Sequence, residues 1–152
     1  MSASDTVQVQ LDAWRGFLES YRRLVDVLAA ELEGETGLPL DWYEVLLYLD
    51  RADGHRLRMH QLAESLLLSR SAATRFVDRM EASGLVERKM CAADRRGTFV
   101  AMTQAGATAF RRAAPVHRRG IEVHFTGLLT DDETVTLSRS FERILGALQP
   151  VS

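Results

Sequence analysis

The sequence predicts an α+β fold that is mainly helical, and three observations support this prediction. Apolar residues keep a heptad spacing through the first segment, which is typical of a long helix that packs on another helix. Two short helical segments then follow each other across a tight turn. After Gly84 the apolar period changes from helical to alternating, which indicates a two-stranded hairpin. Together these features predict a winged helix-turn-helix with long N- and C-terminal dimerisation helices.

The first segment carries an apolar stripe whose spacings alternate between four and three residues. Its members are Val7, Leu11, Trp14, Leu18, Tyr21, Val25, Leu28 and Leu32. A helix from Asp5 to Glu35 would be about 45 Å long, which is more than a domain of this size covers alone. We therefore expect residues 1–36 to form a dimerisation helix; the alternative is a helix that lies across its own domain.

Residues 41–103 are predicted to form the winged helix-turn-helix domain. Asp41 is expected to cap a buried helix that ends at Arg51, with Glu44 in the capping-box position. A short extended stretch at 57–59 and a short helix at 61–66 follow. Ser69 is expected to cap the next helix, which ends before Gly84.

The hairpin is predicted from the alternation of residues 86–90 and from a second extended stretch at 98–102. The turn-rich residues 92–97 between them form the expected wing tip. Residues 104–152 are expected to form C-terminal dimerisation helices. Thr103 caps the first of these, which contains Pro115 and a kink, and Thr130 with Glu133 forms a capping box for the last.

Charge is distributed unevenly along the chain. Between His55 and Thr98 there are nine basic and five acidic residues, a net charge of +4, whereas the whole chain carries −2, so the remainder carries −6. Of the 19 basic residues all but Lys89 are arginine, which forms bidentate contacts with phosphate and guanine. A basic middle between acidic ends predicts a local phosphate-binding surface.

The helix that follows Ser69 is the main candidate for contact with double-stranded DNA. Ala73, Val77 and Met80 are expected to face the core, which leaves hydroxyls and arginines on the opposite side. Arginines at the wing tip suit the narrow minor groove of AT-rich DNA. Solvated charged surfaces are the alternative for both. The candidate DNA-binding residues are Ser69, Arg70, Ser71, Thr74, Arg75, Arg79, Asp94, Arg95 and Arg96.

Several other classes of protein are disfavoured. The single cysteine, Cys91, allows no internal disulfide and fits a cytoplasmic protein; it is expected to be either an inert packing residue or a redox-sensitive thiol. The polar N-terminus is not expected to be a signal peptide, and no apolar run approaches the ~18 residues of a membrane span. The histidines lack metal-ligand spacing and no catalytic motif occurs. We therefore expect that the protein binds no metal or cofactor and is not an enzyme.

An ordered set of motifs resembles the MarR family of bacterial transcriptional regulators. These motifs are Leu62–Glu64, Leu68–Glu81, Gly84–Arg88, Asp94–Gly97, Met102–Gly106 and Leu129–Glu133. The resemblance implies a homodimer in which Ser69–Arg79 is the recognition helix. It also implies that Arg96 enters the minor groove, positioned by Asp94, on a pseudo-palindromic operator.

The resemblance further implies a repressor that a small aromatic or phenolic effector relieves. Trp14, Phe17, Trp42 and Tyr43 fall near the junction where relatives bind ligands, although aromatic residues at helical spacing are also common in a core. The alternatives are a winged helix that binds an acidic protein and a redox-sensing regulator that uses Cys91.

Overall fold

The computed structural model describes residues 3–91 and 94–148, and the side chains of residues 4–90 and 97–148. Within these ranges the elements follow in the order α1 (Ala3–Thr36), α2 (Leu40–Arg51), β1 (Arg56–Arg58), α3 (Met59–Ser65), α4 (Arg70–Ala82), β2 (Val86–Cys91), β3 (Asp94–Met102), α5 (Gln104–His124) and α6 (Asp131–Ala147). The mainly helical α+β winged helix-turn-helix is confirmed. None of the described helices is both long and apolar enough to cross a membrane.

The helix α1 has 34 residues and is therefore about 50 Å long. It ends where Gly37 adopts the left-handed conformation, with φ of 72°. The Thr36 hydroxyl donates a hydrogen bond back to the Leu32 carbonyl at 2.6 Å and accepts one from the Leu38 amide at 3.2 Å. These bonds provide partners for backbone groups near the end of the helix, where several groups have none within the helix.

The chain divides into two compact units. One contains the chain up to Leu28 together with the chain from Arg118 onward, and the other is Ala29–His117. The second unit holds a dense apolar core contributed by α2, α3, α4 and the sheet. Its fully buried side chains include Val45, Leu46, Leu49, Leu62, Val77, Met80, Val86 and Val100. This core fixes the positions of α4 and of the hairpin that follows it.

The start of α2 differs from the prediction. Pro39 is the N-cap and the Tyr43 amide donates the first helical hydrogen bond to its carbonyl, at 3.0 Å. Asp41 lies inside the first turn, where its carboxylate accepts a hydrogen bond from the Trp42 amide at 2.9 Å. The prediction that Asp41 caps the helix is therefore wrong. Proline has a preset φ and no N–H group, which suits it to a helix start.

The two helices of the helix-turn-helix are joined by a tight turn. Leu67 adopts φ of 54° there and is 93% exposed. The Leu68 amide returns to the Ala63 carbonyl at 2.9 Å. The Ser69 hydroxyl then accepts a hydrogen bond from the Ala72 amide at 3.2 Å, so the predicted cap of α4 is confirmed.

The sheet has the strand order β1-β3-β2, and both pairings are antiparallel. The predicted hairpin is present, but β3 begins at Asp94 and not at Thr98, so the predicted turn of residues 92–97 is too long. The register shifts between Met90 and Cys91, and Cys91 pairs with Asp94. The residues at the start of β3 are polar, so this part of the strand lacks the alternation of apolar residues that predicts a strand.

The beginning of α5 packs closely against the chain that leaves α4. The Thr103 hydroxyl donates to the Gly84 carbonyl at 2.6 Å and accepts from the Gly106 amide at 3.0 Å, which confirms the predicted cap. A Cβ atom on Gly106 would overlap the Leu85 carbonyl oxygen. The capping box at the start of α6 is also confirmed, since Thr130 and Glu133 exchange hydrogen bonds between side chain and backbone.

Candidate DNA-binding surface

One side of the helix α4 is buried and the opposite side is exposed. Ala73, Val77 and Met80 are fully buried, as the sequence predicted, and Phe76 is 9% exposed. The side facing away from the core carries the candidate residues Ser69, Arg70, Ser71, Arg75 and Arg79, which are exposed, and Thr74, which is half-buried. Short hydroxyls and arginines near the N-terminus of an exposed helix are the groups that contact phosphates and base edges in a major groove.

Arg88 on β2 connects α4 to the hairpin. Its guanidinium lies 2.7 Å from an Asp78 carboxylate oxygen and 2.5 Å from Glu81 Oε2, and it donates to the Thr74 carbonyl at 3.2 Å. Its backbone amide donates to Glu81 Oε1 at 2.9 Å. Since these partners span the central turns of α4, Arg88 fixes the helix against the strand.

The same contacts change the acidity of Glu81. The backbone N–H of Arg88, and then its guanidinium, hold the pKa of that carboxyl below its ordinary value of 4.5. The sequence pattern identifies Arg88 only as a basic residue on a strand. Its partners lie seven to fourteen residues away across a turn, and no short-range period relates them.

The wing residues Asp94, Arg95 and Arg96 have side chains outside the described part of the structure. The backbone places all three at the start of β3, the strand that pairs with β2. Their contact with a minor groove stays a prediction.

Comparison with known proteins identifies the family. The MarR family model matches residues 36–97. The chain is 32% identical to AbsC, a MarR family transcriptional regulator from Streptomyces coelicolor; the match covers 98% of this chain and 97% of AbsC with a TM-score of 0.86. The chain belongs to the MarR family. It is therefore a MarR-family transcriptional regulator.

Two further relatives support this assignment. Sco3205, a MarR family transcriptional regulator from Streptomyces coelicolor, was solved in complex with DNA and is 30% identical, covering 100% of this chain and 92% of Sco3205 with a TM-score of 0.87. The HTH-type transcriptional regulator PrsX from Escherichia coli is 27% identical over 135 residues, which is 89% of this chain and 80% of PrsX.

The candidate ligand residues of this MarR-family chain fall into two pairs, one in each compact unit. Trp14 and Phe17 lie on α1 with ring centroids 5.9 Å apart, and Phe17 also lies 5.7 Å from Phe141. Both are exposed, Trp14 at 58% and Phe17 at 44%. Their part in ligand binding stays a prediction.

The second pair lies on α2. Trp42 is half-buried, whereas Tyr43 is buried against Phe110 at 5.4 Å and His117 at 4.7 Å between ring centroids. Burial raises the pKa of Tyr43 and lowers the pKa of His117. Within the described residues, the buried Nδ1 of His117 has no hydrogen-bond partner. Over the same residues, no group of three or more His, Cys, Asp or Glu side chains could hold a metal ion.

Proposed function

We propose that this regulator binds DNA sequence-specifically as a homodimer on a pseudo-palindromic operator in the cytoplasm. In each subunit α4 enters the major groove and the wing enters the adjacent minor groove. The observation that carries the proposal is the exposed hydroxyl and arginine face of α4, fixed against β2 by Arg88. The relative Sco3205, solved in complex with DNA, supports it.

The residues have distinct proposed roles. Ser69, Ser71 and Thr74 supply hydroxyls at the N-terminal half of α4, while Arg70, Arg75 and Arg79 contact phosphates or base edges. Arg95 and Arg96 contact the minor groove, with Asp94 holding the Arg96 guanidinium. Residues 41–103 form the proposed DNA-binding domain.

The homodimer is supported by large exposed apolar side chains on α1 and α6. They are Val7, Leu11, Trp14, Phe17 and Tyr21 on α1, and Val135, Ile144 and Leu145 on α6. Apolar patches of this kind mark protein interfaces, because leaving them in water costs free energy. Residues 1–36 and 104–152 form the proposed dimerisation segments.

We also propose that the regulator represses transcription and that a small aromatic or phenolic effector relieves repression. Trp14, Phe17, Trp42 and Tyr43 are the proposed ligand contacts. The exposed rings of Trp14 and Phe17 and the half-buried ring of Trp42 are accessible to an aromatic molecule, whereas Tyr43 is buried against Phe110 and His117. The test is release of a labelled operator by a panel of phenols and aromatic acids, with aliphatic acids as controls.

The decisive experiment measures fluorescence anisotropy of a labelled duplex from upstream of the regulator's own gene, against a scrambled duplex, over a series of salt concentrations. Tight, sequence-selective binding by two subunits is expected. Arg75→Ala and Arg96→Ala should each weaken it by about tenfold or more. Arg111→Ala, an exposed arginine on α5 that contacts Thr108, is the control and should bind as wild type does.

Weak and equal binding to both duplexes would contradict the proposal. That result would favour a winged helix that uses its basic face to bind an acidic protein. Wild-type binding by both Arg75→Ala and Arg96→Ala would show that a different surface contacts DNA.

A further inference from the structure

A cleft of about 340 Å³ lies between the first half of α4 and the base of the wing. Its lining includes Arg58, His60, Arg70 and Arg88. Three arginines and a histidine therefore surround one small space. Arg88 forms ion pairs there with Asp78 and Glu81.

Arg58 is held in place by an aromatic ring. The register of β1 and β3 pairs Arg58 with Phe99, and the Arg58 guanidinium lies over the Phe99 ring at 5.0 Å from its centroid. Arg56, two residues earlier on the same strand, lies over the same ring at 4.9 Å but does not line the cleft. A guanidinium held over a ring is pre-organised and loses less conformational freedom on binding an anion.

The position of the cleft indicates its occupant. When α4 occupies a major groove and the wing occupies the next minor groove, one sugar–phosphate strand separates the two grooves. That strand must cross the protein surface between α4 and the base of the wing, where the cleft lies.

We propose that this cleft binds the DNA phosphate backbone between the two grooves, with Arg58 and His60 as phosphate contacts and Phe99 as the positioning residue for Arg58. The inference rests on the proposed function, and it adds two contacts outside α4 and the wing tip. Such contacts strengthen binding without reading sequence, because every base pair presents the same phosphates.

The test compares Arg58→Gln with the matched control Arg56→Gln in the full chain, using the labelled upstream and scrambled duplexes over a salt series. Arg58→Gln should weaken binding to both duplexes by the same factor, about five- to tenfold at low salt. The slope of log K against log salt should flatten by about 0.9 for each phosphate that is no longer neutralised, and hence by about 1.8 for a dimer. Arg56→Gln should leave the slope unchanged.

Two further variants separate charge from packing. Arg58→Lys keeps the charge and should keep the wild-type salt slope. Phe99→Leu should weaken binding by about two- to fivefold, and the double variant with Arg58→Gln should bind no more weakly than Arg58→Gln alone. Circular dichroism melts of each variant verify that the fold is retained.

A wild-type slope for Arg58→Gln, or an equal loss for Arg56→Gln, would overturn the phosphate cleft. If the wild-type chain still distinguishes the two duplexes in that experiment, the proposed function stands while the cleft assignment fails. If the wild-type chain binds neither duplex, the proposed function itself fails.

Discussion

Arg88 shows how one side chain couples a helix to a strand. Its guanidinium meets two carboxylates and a carbonyl of α4, and its side chain is 25% exposed. Charge-assisted hydrogen bonds in a partly shielded place stabilise more than surface ion pairs do. Which side chains of α4 are buried and which are exposed could be predicted from the sequence, because burial follows a helical period. The Arg88 contacts could not be predicted, since they depend on how the chain turns at Gly84.

Arg88→Ala should lower the free energy of unfolding by about 1–2 kcal/mol, because it leaves Asp78 and Glu81 close together without their cation. Urea unfolding followed by circular dichroism measures the change. Lys89→Ala is the matched control: Lys89 forms an exposed ion pair with Glu87 at 2.9 Å, and its loss should cost less than about 0.5 kcal/mol. Equal losses in the two variants would contradict a special role for Arg88.

Glu81 should make stability depend on acid. Its folded pKa lies below the ordinary value of 4.5, so on acidification the unfolded chain takes up a proton first. The stabilisation from Glu81 is therefore present at neutral pH and is lost as the pH falls through the folded pKa. Glu81→Gln should be less stable at pH 7, and its unfolding free energy should fall less steeply below about pH 5. Parallel curves for the two proteins would argue against this linkage.

Among the helices, the starts that a side-chain hydroxyl caps could be predicted from the sequence. Ser69, Thr103 and Thr130 each bond the backbone three residues on, and a hydroxyl at that spacing is visible in the sequence. The start of α2 was misplaced because two acceptable starts, Pro39 and Asp41, lie two residues apart. The length of β3 was underestimated because backbone pairing beyond the register shift needs no apolar side chains.

The start of α5 can pack against the chain that leaves α4 because Gly106 has no side chain. Gly106→Ala should lower the free energy of unfolding by about 2 kcal/mol or more, because the new Cβ overlaps the Leu85 carbonyl oxygen. Gly34→Ala is the control: a Cβ on this helical glycine of α1 would have nothing within 4 Å, so alanine there should stabilise by up to about 1 kcal/mol. Thermal melts of both variants distinguish the outcomes, and a neutral Gly106→Ala would show that the backbone there relaxes freely.

At the scale of the whole molecule, the heptad stripe of α1 predicted a surface that a single chain leaves exposed. Tyr21 on α1 is 60% exposed and Leu145 on α6 is 69% exposed, although side chains of this kind are more often buried. The fold class and the position of α4 were predictable from periodicity and caps. The details of the proposed dimer interface were not, because the pattern in one chain does not show which residues of a second chain would meet it.

Light scattering coupled to size exclusion should give a mass of about twice the 17.0 kDa of one chain. Leu145→Glu should shift the protein toward the monomer, because it places a charge in the proposed apolar interface. Leu67→Glu introduces the same change at an exposed turn of the helix-turn-helix and should remain dimeric. A monomeric wild-type protein at micromolar concentration would refute the dimer.

The two tryptophans give the chain built-in optical reporters. Trp14 lies in one compact unit and is 58% exposed, while Trp42 lies in the other and is half-buried. Indole emission moves to shorter wavelength when the ring leaves water, so dilution of the wild-type protein should shift the Trp14 signal to longer wavelength as the proposed dimer separates. Trp14→Phe leaves Trp42 as the single tryptophan, and its spectrum then follows events in the unit Ala29–His117, which contains the proposed DNA-binding surface. Subunit association and DNA binding can thus be followed separately in unlabelled protein.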